Sequence, residues 1–218
     1  MSNTIVLETI TRLQAKYREA RLELDFTSPF ELLIATILAA QCTDAKVNEV
    51  TKSLFKKYPE PASYLTVDQA ELQEDIRQIT FYRNKSKGII AACKMLVEEY
   101  DGKVPDTVEA LLKLPYVGRK TANIVLANAF NIPAIGVDTH TIRVPNRLGW
   151  LVCKDADEIE QTLCRLLPED RWHRANLLLQ WHGRYTCKAR KPLCESCVLT
   201  DICNWYAENM QIQTTSGN

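Results

Sequence analysis

Ser28-Pro29-Phe30-Glu31-Leu32-Leu33-Ile34-Ala35-Thr36-Ile37-Leu38-Ala39-Ala40-Gln41 decides the fold class. A serine, a proline directly after it and a glutamate three residues on combine an N-cap, proline at the first helical position and a capping-box acid. The helix that follows is apolar on all sides, so it belongs at the centre of a bundle. Working outward, Ile5, Leu7, Ile10, Leu13 and Tyr17 mark an amphipathic helix before it. Caps and turn signals predict further helices near 44–58, 67–78, 84–100, 107–114, 118–130, 139–149, 156–167 and 171–185. With 7 glycines and 9 prolines in 218 residues there is little material for hairpin turns, and no convincing strand. The expectation is an all-α protein, with a polar tail after Tyr206, ending TTSGN, that frays.

Hydrophobic residues at 46% and charged residues at 25% are ordinary for a globular chain and argue against disorder. The longest apolar run, 30–40, falls short of the ~20 residues a membrane span needs. The first twenty residues mix acids and bases with no apolar block. No membrane partner is expected, and the chain is expected to stay inside the cell.

Lys plus Arg is 27 and Asp plus Glu is 27, so no global field draws the chain to nucleic acid. Locally the charge is segregated. Arg171, Arg174, Arg184, Lys188, Arg190 and Lys191 fall in an acid-free stretch, whereas 155–170 is acidic. Four of the 8 cysteines close the chain as Cys187-x6-Cys194-x2-Cys197-x5-Cys203. Four thiols so close together suit a metal or an iron–sulfur cluster better than disulfides. Only Cys194-x2-Cys197 forms a zinc-type knuckle, and spacing alone leaves zinc and iron–sulfur equally open. Closing the loop from Cys187 to Cys194 would display Lys188, Arg190 and Lys191 as rigid cations suited to phosphate. Cys42, Cys93, Cys153 and Cys164 stand apart and read as small buried hydrophobes.

LPYVGRKTANIVLANAF, residues 114–130, compresses a helix stop at Pro115 and a helix start at Gly118 into one tight turn. Backbone N–H groups at such a start, with the positive end of the helix dipole, form a phosphate site. Lys120 lies in that first turn, where the dipole disfavours an ammonium and is expected to lower its pKa, as a nucleophile requires. Asp138, in GVDTHT, is an N-cap by position. A helix of ~18 Å followed by an extended return of up to ~26 Å allows it to come back beside Lys120.

Together LPYVGRKTAN, VDTH and the four-cysteine tail resemble the helix-hairpin-helix DNA glycosylases that carry a C-terminal iron–sulfur cluster. The likeness runs from SPFELLIATILAAQCTD (28–44) to HGRYTCKARKPLCESC (182–197), nearly the whole chain. It implies a [4Fe-4S] cluster on Cys187, Cys194, Cys197 and Cys203. It also implies two helical domains flanking a DNA-binding cleft: a helical barrel at 27–133, with the helix-hairpin-helix at about 107–130, and a cluster domain of 1–26 with 134–218. The implied partner is double-stranded DNA containing damaged bases or abasic sites, bound by a monomer close to the nucleoid. The implied activity is removal of oxidised pyrimidines with strand cutting by β-elimination. Lys120 would attack C1′ of a flipped-out nucleotide, because the reacting atoms are inaccessible in a duplex, and Asp138 would stabilise developing positive charge. The lysine argues against purely hydrolytic relatives. A rival reading, a noncatalytic metal-bearing DNA-binding protein, has little use for both residues.

The resemblance also assigns Gln41 to the gap left by the flipped base, and Ile79, Thr80 and Phe81 to a loop that wedges into the opposite strand. The hairpin residues Tyr116, Val117, Gly118 and Arg119 complete the expected DNA contacts, with His140, Arg143, Arg184, Lys188, Arg190 and Lys191. The chain departs from the family pattern in two places. Thr80 and Phe81 stand where glycine and leucine are usual, giving a bulkier wedge. Tyr116 stands where glycine is usual, so a positive φ there would cost on the order of 1 kcal/mol and reshape the hairpin.

Overall fold

The computed structural model describes residues 3–215, with side chains through 209. Every element among the described residues is helical. In chain order these are α1 (Asn3–Lys16), α2 (Pro29–Ala39), α3 (Asp44–Lys57), α4 (Ser63–Thr66), α5 (Gln69–Asp75) and α6 (Tyr82–Glu99), then α7 (Val108–Leu111), α8 (Arg119–Ala129), α9 (Thr139–Leu148), α10 (Ala156–Leu166), α11 (Trp172–Tyr185) and α12 (Asn204–Thr215). Short 3-10 turns occupy Glu169–Arg171, Cys194–Ser196 and Thr200–Ile202. Among the described residues, no helix is long and apolar enough to cross a membrane.

The chain divides into two compact units, Leu22–Ala134 and Met1–Arg21 with Ile135–Asn218. In the first, α2 is central and packs against α3, α6 and α8, while α4 and α5 lie on α6 and α7 on α8. Residues 32–38 of α2 are all buried, as its all-round apolar pattern requires. Its N-terminal cap differs in one detail from the capping box. Ser28 accepts from the Glu31 N–H (3.2 Å), but the Glu31 carboxylate accepts from the N–H (2.5 Å) and hydroxyl (2.8 Å) of Thr27 instead of reaching Ser28.

In the second unit, α9 packs on α11, α1 on α11 and α12 on α9 around a core that includes Val6, Leu13, Val144, Ile159 and Leu178. Arg174 is spent inside this unit. Its guanidinium donates to the carbonyls of Tyr17, Arg18 and Ala20 and to Gln14, tying down the segment after α1. It is therefore not part of a free basic face. The tail is helical through Thr215, where the sequence pattern predicts fraying. Ala207 N–H bonds back to Cys203 (3.1 Å), and the Arg147 guanidinium lies over the Trp205 ring (4.7 Å), so tertiary anchoring starts this helix. The remainder of TTSGN, 216–218, lies outside the described residues.

Candidate DNA-repair site

Within the first unit, α7 and α8 flank a turn held by a bond from Val117 N–H to Leu114 C=O (3.2 Å). Tyr116 takes φ +63° and is 54% exposed, so the strained conformation foreseen at this position is present. Its ring lies against Gly88 of α6, where a Cβ would overlap the ring atoms nearest its own Cβ. The glycine missing from the turn is thus matched by one on the helix the tyrosine covers. The Val117 side chain is 7% exposed and belongs to the core, so at this position only the backbone can face a ligand. Gly118, Arg119 and Lys120 are all exposed. Gly118 is extended (φ −95°, ψ 175°) and nothing lies within 4 Å of a Cβ built there, so the fold itself makes no demand for glycine. It also gives α8 no side-chain cap, leaving the start of that helix open.

Four further non-glycine residues with left-handed backbone stand in the same unit, among them Gln41 at φ +56° after α2 and Phe81 at φ +58° before α6. Gln41, Phe81 and Tyr116 line one pocket together with Asn84, Lys85 and Thr121. Each such residue stores on the order of 1–2 kcal/mol of strain, which persists only where the surroundings fix it. Phe81 is 58% exposed, but Ile79 is 1% exposed and packed in the core. Ile79 is therefore an anchor of the loop and not a wedge. An alternation of apolar residues in a short loop does not reveal which of them turns inward.

Asp138 caps α9 through one oxygen. Oδ1 accepts from the N–H groups of His140 (2.9 Å) and Thr141 (2.8 Å) and from the Thr141 hydroxyl (3.1 Å), so none of these bonds engages Oδ2. His140 packs on α11, where a Cβ at Gly183 would meet it at 2.7 Å. Burial, aided by Arg143 and Arg184 and opposed by Asp138, holds its imidazole below the usual range. Arg143 is not a free cation for phosphate. Its guanidinium donates to the carbonyls of Cys187 (3.0 Å) and Gly183 (2.8 Å) and to His140 Nδ1 (3.0 Å), because the ends of α11 and the cysteine loop need these donors. Arg184 is half-buried, whereas Lys188, Arg190 and Lys191 are exposed.

Cys187, Cys194, Cys197 and Cys203 line one apolar-walled cavity with Leu148, Leu199 and His182. Among the described residues, no three or more His, Cys, Asp or Glu side chains are placed to hold a single metal ion. Four thiolates around one zinc would stand roughly 3.8 Å apart at a Zn–S bond of about 2.3 Å. Four soft sulfurs around a shared cavity fit a larger iron–sulfur core. Burial first, then mutual repulsion, pushes the thiols of Cys194 and Cys203 up, a setting that positively charged iron relieves. Burial likewise raises Cys197 and drives His182, 3.8 Å from its sulfur, down to about 4. Of the other cysteines only Cys93 is fully buried, and Cys153 donates to Glu158 (3.1 Å).

Arg147 is a residue that the sequence reading misses. It donates to Cys187 Sγ (3.2 Å) and to the carbonyls of Lys188 and Ala189 (2.8 Å each), holding the basic loop by its backbone. Its only local signal is its spacing four residues after Arg143 on α9.

Residues 34–169 match the HhH-GPD superfamily of base excision DNA repair proteins, and residues 187–203 match the iron–sulfur binding domain of endonuclease III. Endonuclease III of Bacillus subtilis is 50% identical over 188 residues, 86% of each chain. That of Synechocystis is 46% identical over 197 residues, 90% of each chain. A trapped endonuclease III–DNA covalent intermediate, an estranged-adenine complex, superposes with a TM-score of 0.93 at 44% identity, covering 96% of this chain and 99% of that one.

Proposed function

The chain belongs to the HhH-GPD superfamily of base excision DNA repair proteins, and we propose that Lys120 and Asp138 carry out its chemistry. It is a DNA glycosylase with AP lyase activity that acts on double-stranded DNA and carries a [4Fe-4S] cluster. For its substrates we infer oxidised pyrimidines and abasic sites in intracellular DNA.

The observation that carries the reading is the open start of α8, where Lys120 is exposed in the first turn of the helix beside an uncapped, side-chain-free Gly118. No side-chain cap occupies those N–H groups, and Gly118 puts no side chain between them and a phosphate. The damaged nucleotide is rotated out of the stack. Nζ of Lys120 attacks C1′ as the N-glycosidic bond breaks, and the base leaves with a proton. Asp138 stabilises the positive charge that develops on the sugar through Oδ2, while Oδ1 stays engaged as the cap. Opening of the sugar ring, in which the C1′–O4′ bond breaks and O4′ takes up a proton, gives a Schiff base between Nζ and C1′. This acidifies the C2′ hydrogen, and removal of that proton breaks the C3′–O bond 3′ to the lesion. One amine so serves both glycosylase and lyase steps.

Gln41 enters the gap left by the rotated nucleotide and pairs with the orphaned base. Phe81 presses on the opposite strand, and Tyr116 lies at the hairpin beside them. Lys188, Arg190 and Lys191 contact phosphates. Cys187, Cys194, Cys197 and Cys203 hold the cluster, which when bound acts as a cross-link that fixes this loop. Borohydride treatment with a duplex containing an abasic site tests the assignment. Wild type is expected to be trapped covalently, and Lys120→Ala to bind the duplex without trapping. Trapping of Lys120→Ala at the wild-type rate would overturn it.

A further inference from the structure

Lys85 of α6 is 4% exposed, yet among the described residues no carboxylate pairs with its ammonium. Nζ donates instead to Leu38 C=O (2.8 Å) and Ala40 C=O (2.6 Å) at the C-terminal end of α2. Those carbonyls are left over where a helix stops, and they carry the negative end of its dipole. Helices commonly satisfy them by a left-handed glycine just past the end. Here the chain has Ala40 with φ −57° and then Gln41, a non-glycine at φ +56°.

The same lysine reaches the second strained turn through its backbone. Lys85 N–H bonds to Phe81 C=O (3.1 Å), the residue at φ +58° that opens α6. One residue therefore ties the Gln41 turn, through Nζ, to the Phe81 turn, through its own N–H. Burying an unpaired ammonium is costly. Its desolvation lowers the affinity for the proton. A neutral side chain could not bring three N–H donors to the end of a helix dipole.

We propose that Lys85 is a positioning residue that fixes Gln41 and Phe81 relative to each other, and so sets how the rim of the site engages the strand opposite the lesion. The proposal rests on the reading of Gln41 as the gap-filling residue. Lys85 itself touches no substrate. Displacing a positioned group by about 1 Å can cost up to roughly a hundredfold in rate.

The test measures single-turnover excision from a lesion duplex, and borohydride trapping on single-stranded DNA with an abasic site, which has no opposite strand to engage. Lys85→Met is expected to slow duplex excision on the order of tenfold while single-strand trapping changes less than about twofold. Lys85→Met with Gln41→Ala is expected to be no slower than Gln41→Ala alone. The proposal is overturned if single-strand trapping falls as far as duplex excision, which marks a general structural role. It is also overturned if the two substitutions multiply, or if Lys85→Met excises at the wild-type rate. If Gln41→Ala leaves duplex excision unchanged, the reading of Gln41 fails and this proposal with it. If Gln41→Ala is slow and Lys85→Met is not, only this proposal fails. Should Lys85→Met not fold, Lys85→Gln, which keeps N–H donors and loses the charge, is judged by the same outcomes.

Discussion

Gly88→Ala should change sign depending on what occupies position 116. An alanine in the middle of α6 is worth about 1 kcal/mol over glycine on propensity alone. The added Cβ would overlap Cγ and both Cδ atoms of Tyr116. Those atoms are fixed close to the backbone, and the turn is pinned by buried Leu114 and Val117, so the ring cannot simply swing away. Overpacking of this kind costs roughly 1–3 kcal/mol. Gly88→Ala alone should therefore be neutral or destabilising by up to about 2 kcal/mol. In the Tyr116→Gly background the obstruction is absent, and the same change should stabilise by up to about 1 kcal/mol. Denaturant unfolding of the four proteins gives a coupling energy of about 1–3 kcal/mol as the expected result. At about 2–4 °C per kcal/mol for a chain of this size, the reversal is also visible in Tm. Equal effects of Gly88→Ala in the two backgrounds would refute the placement of the Tyr116 ring on α6.

Three further outcomes follow from the second unit. Asp138→Asn should keep the α9 cap, since asparagine caps as well as aspartate, and cost under about 1 kcal/mol of stability in a melt. Its single-turnover excision should nonetheless fall by roughly 10²–10⁴; stability and rate falling together would mean a purely structural residue. His140 is held below its usual pKa, so as pH falls below about 6.5 the unfolded chain takes up a proton that the folded chain resists. Wild type should therefore lose stability relative to His140→Gln between pH 7 and 5, at up to about 1.4 kcal/mol per pH unit, and parallel curves would contradict this. Removal of the cluster by oxidation, or Cys203→Ser, should bleach the visible absorbance and loosen the 187–194 loop. Salt-dependent DNA affinity should weaken with it, as expected where phosphate contacts are lost. Unchanged affinity would separate the loop from DNA binding.

The central helix was legible because its signal is local: Ser28 and Pro29 set its start, and its apolar faces demanded burial. The same holds for Asp138, whose capping role needs only the three residues that follow it. Gln41 and Phe81 were legible as residues but not as strained ones, since nothing but glycine advertises a positive φ in sequence. The burial of the Ile79 and Val117 side chains was not legible for a related reason. A turn of four residues alternates its facing too quickly for periodicity to assign an inside. Lys85 and Arg147 were not legible at all, because each reads as one more cation on an amphipathic helix. Their partners lie 40 or more positions away, at Leu38 and at Cys187, Lys188 and Ala189. The helix α12 was missed because its start is fixed by contact with Arg147 and not by its own composition.

The most direct measurement is mass mapping of the borohydride-reduced adduct after proteolysis of the wild-type complex with an abasic duplex. A secondary amine joining the sugar remnant to Nζ of Lys120, in the peptide that contains Gly118 to Asn123, is the predicted result. An adduct on any other lysine would contradict the account.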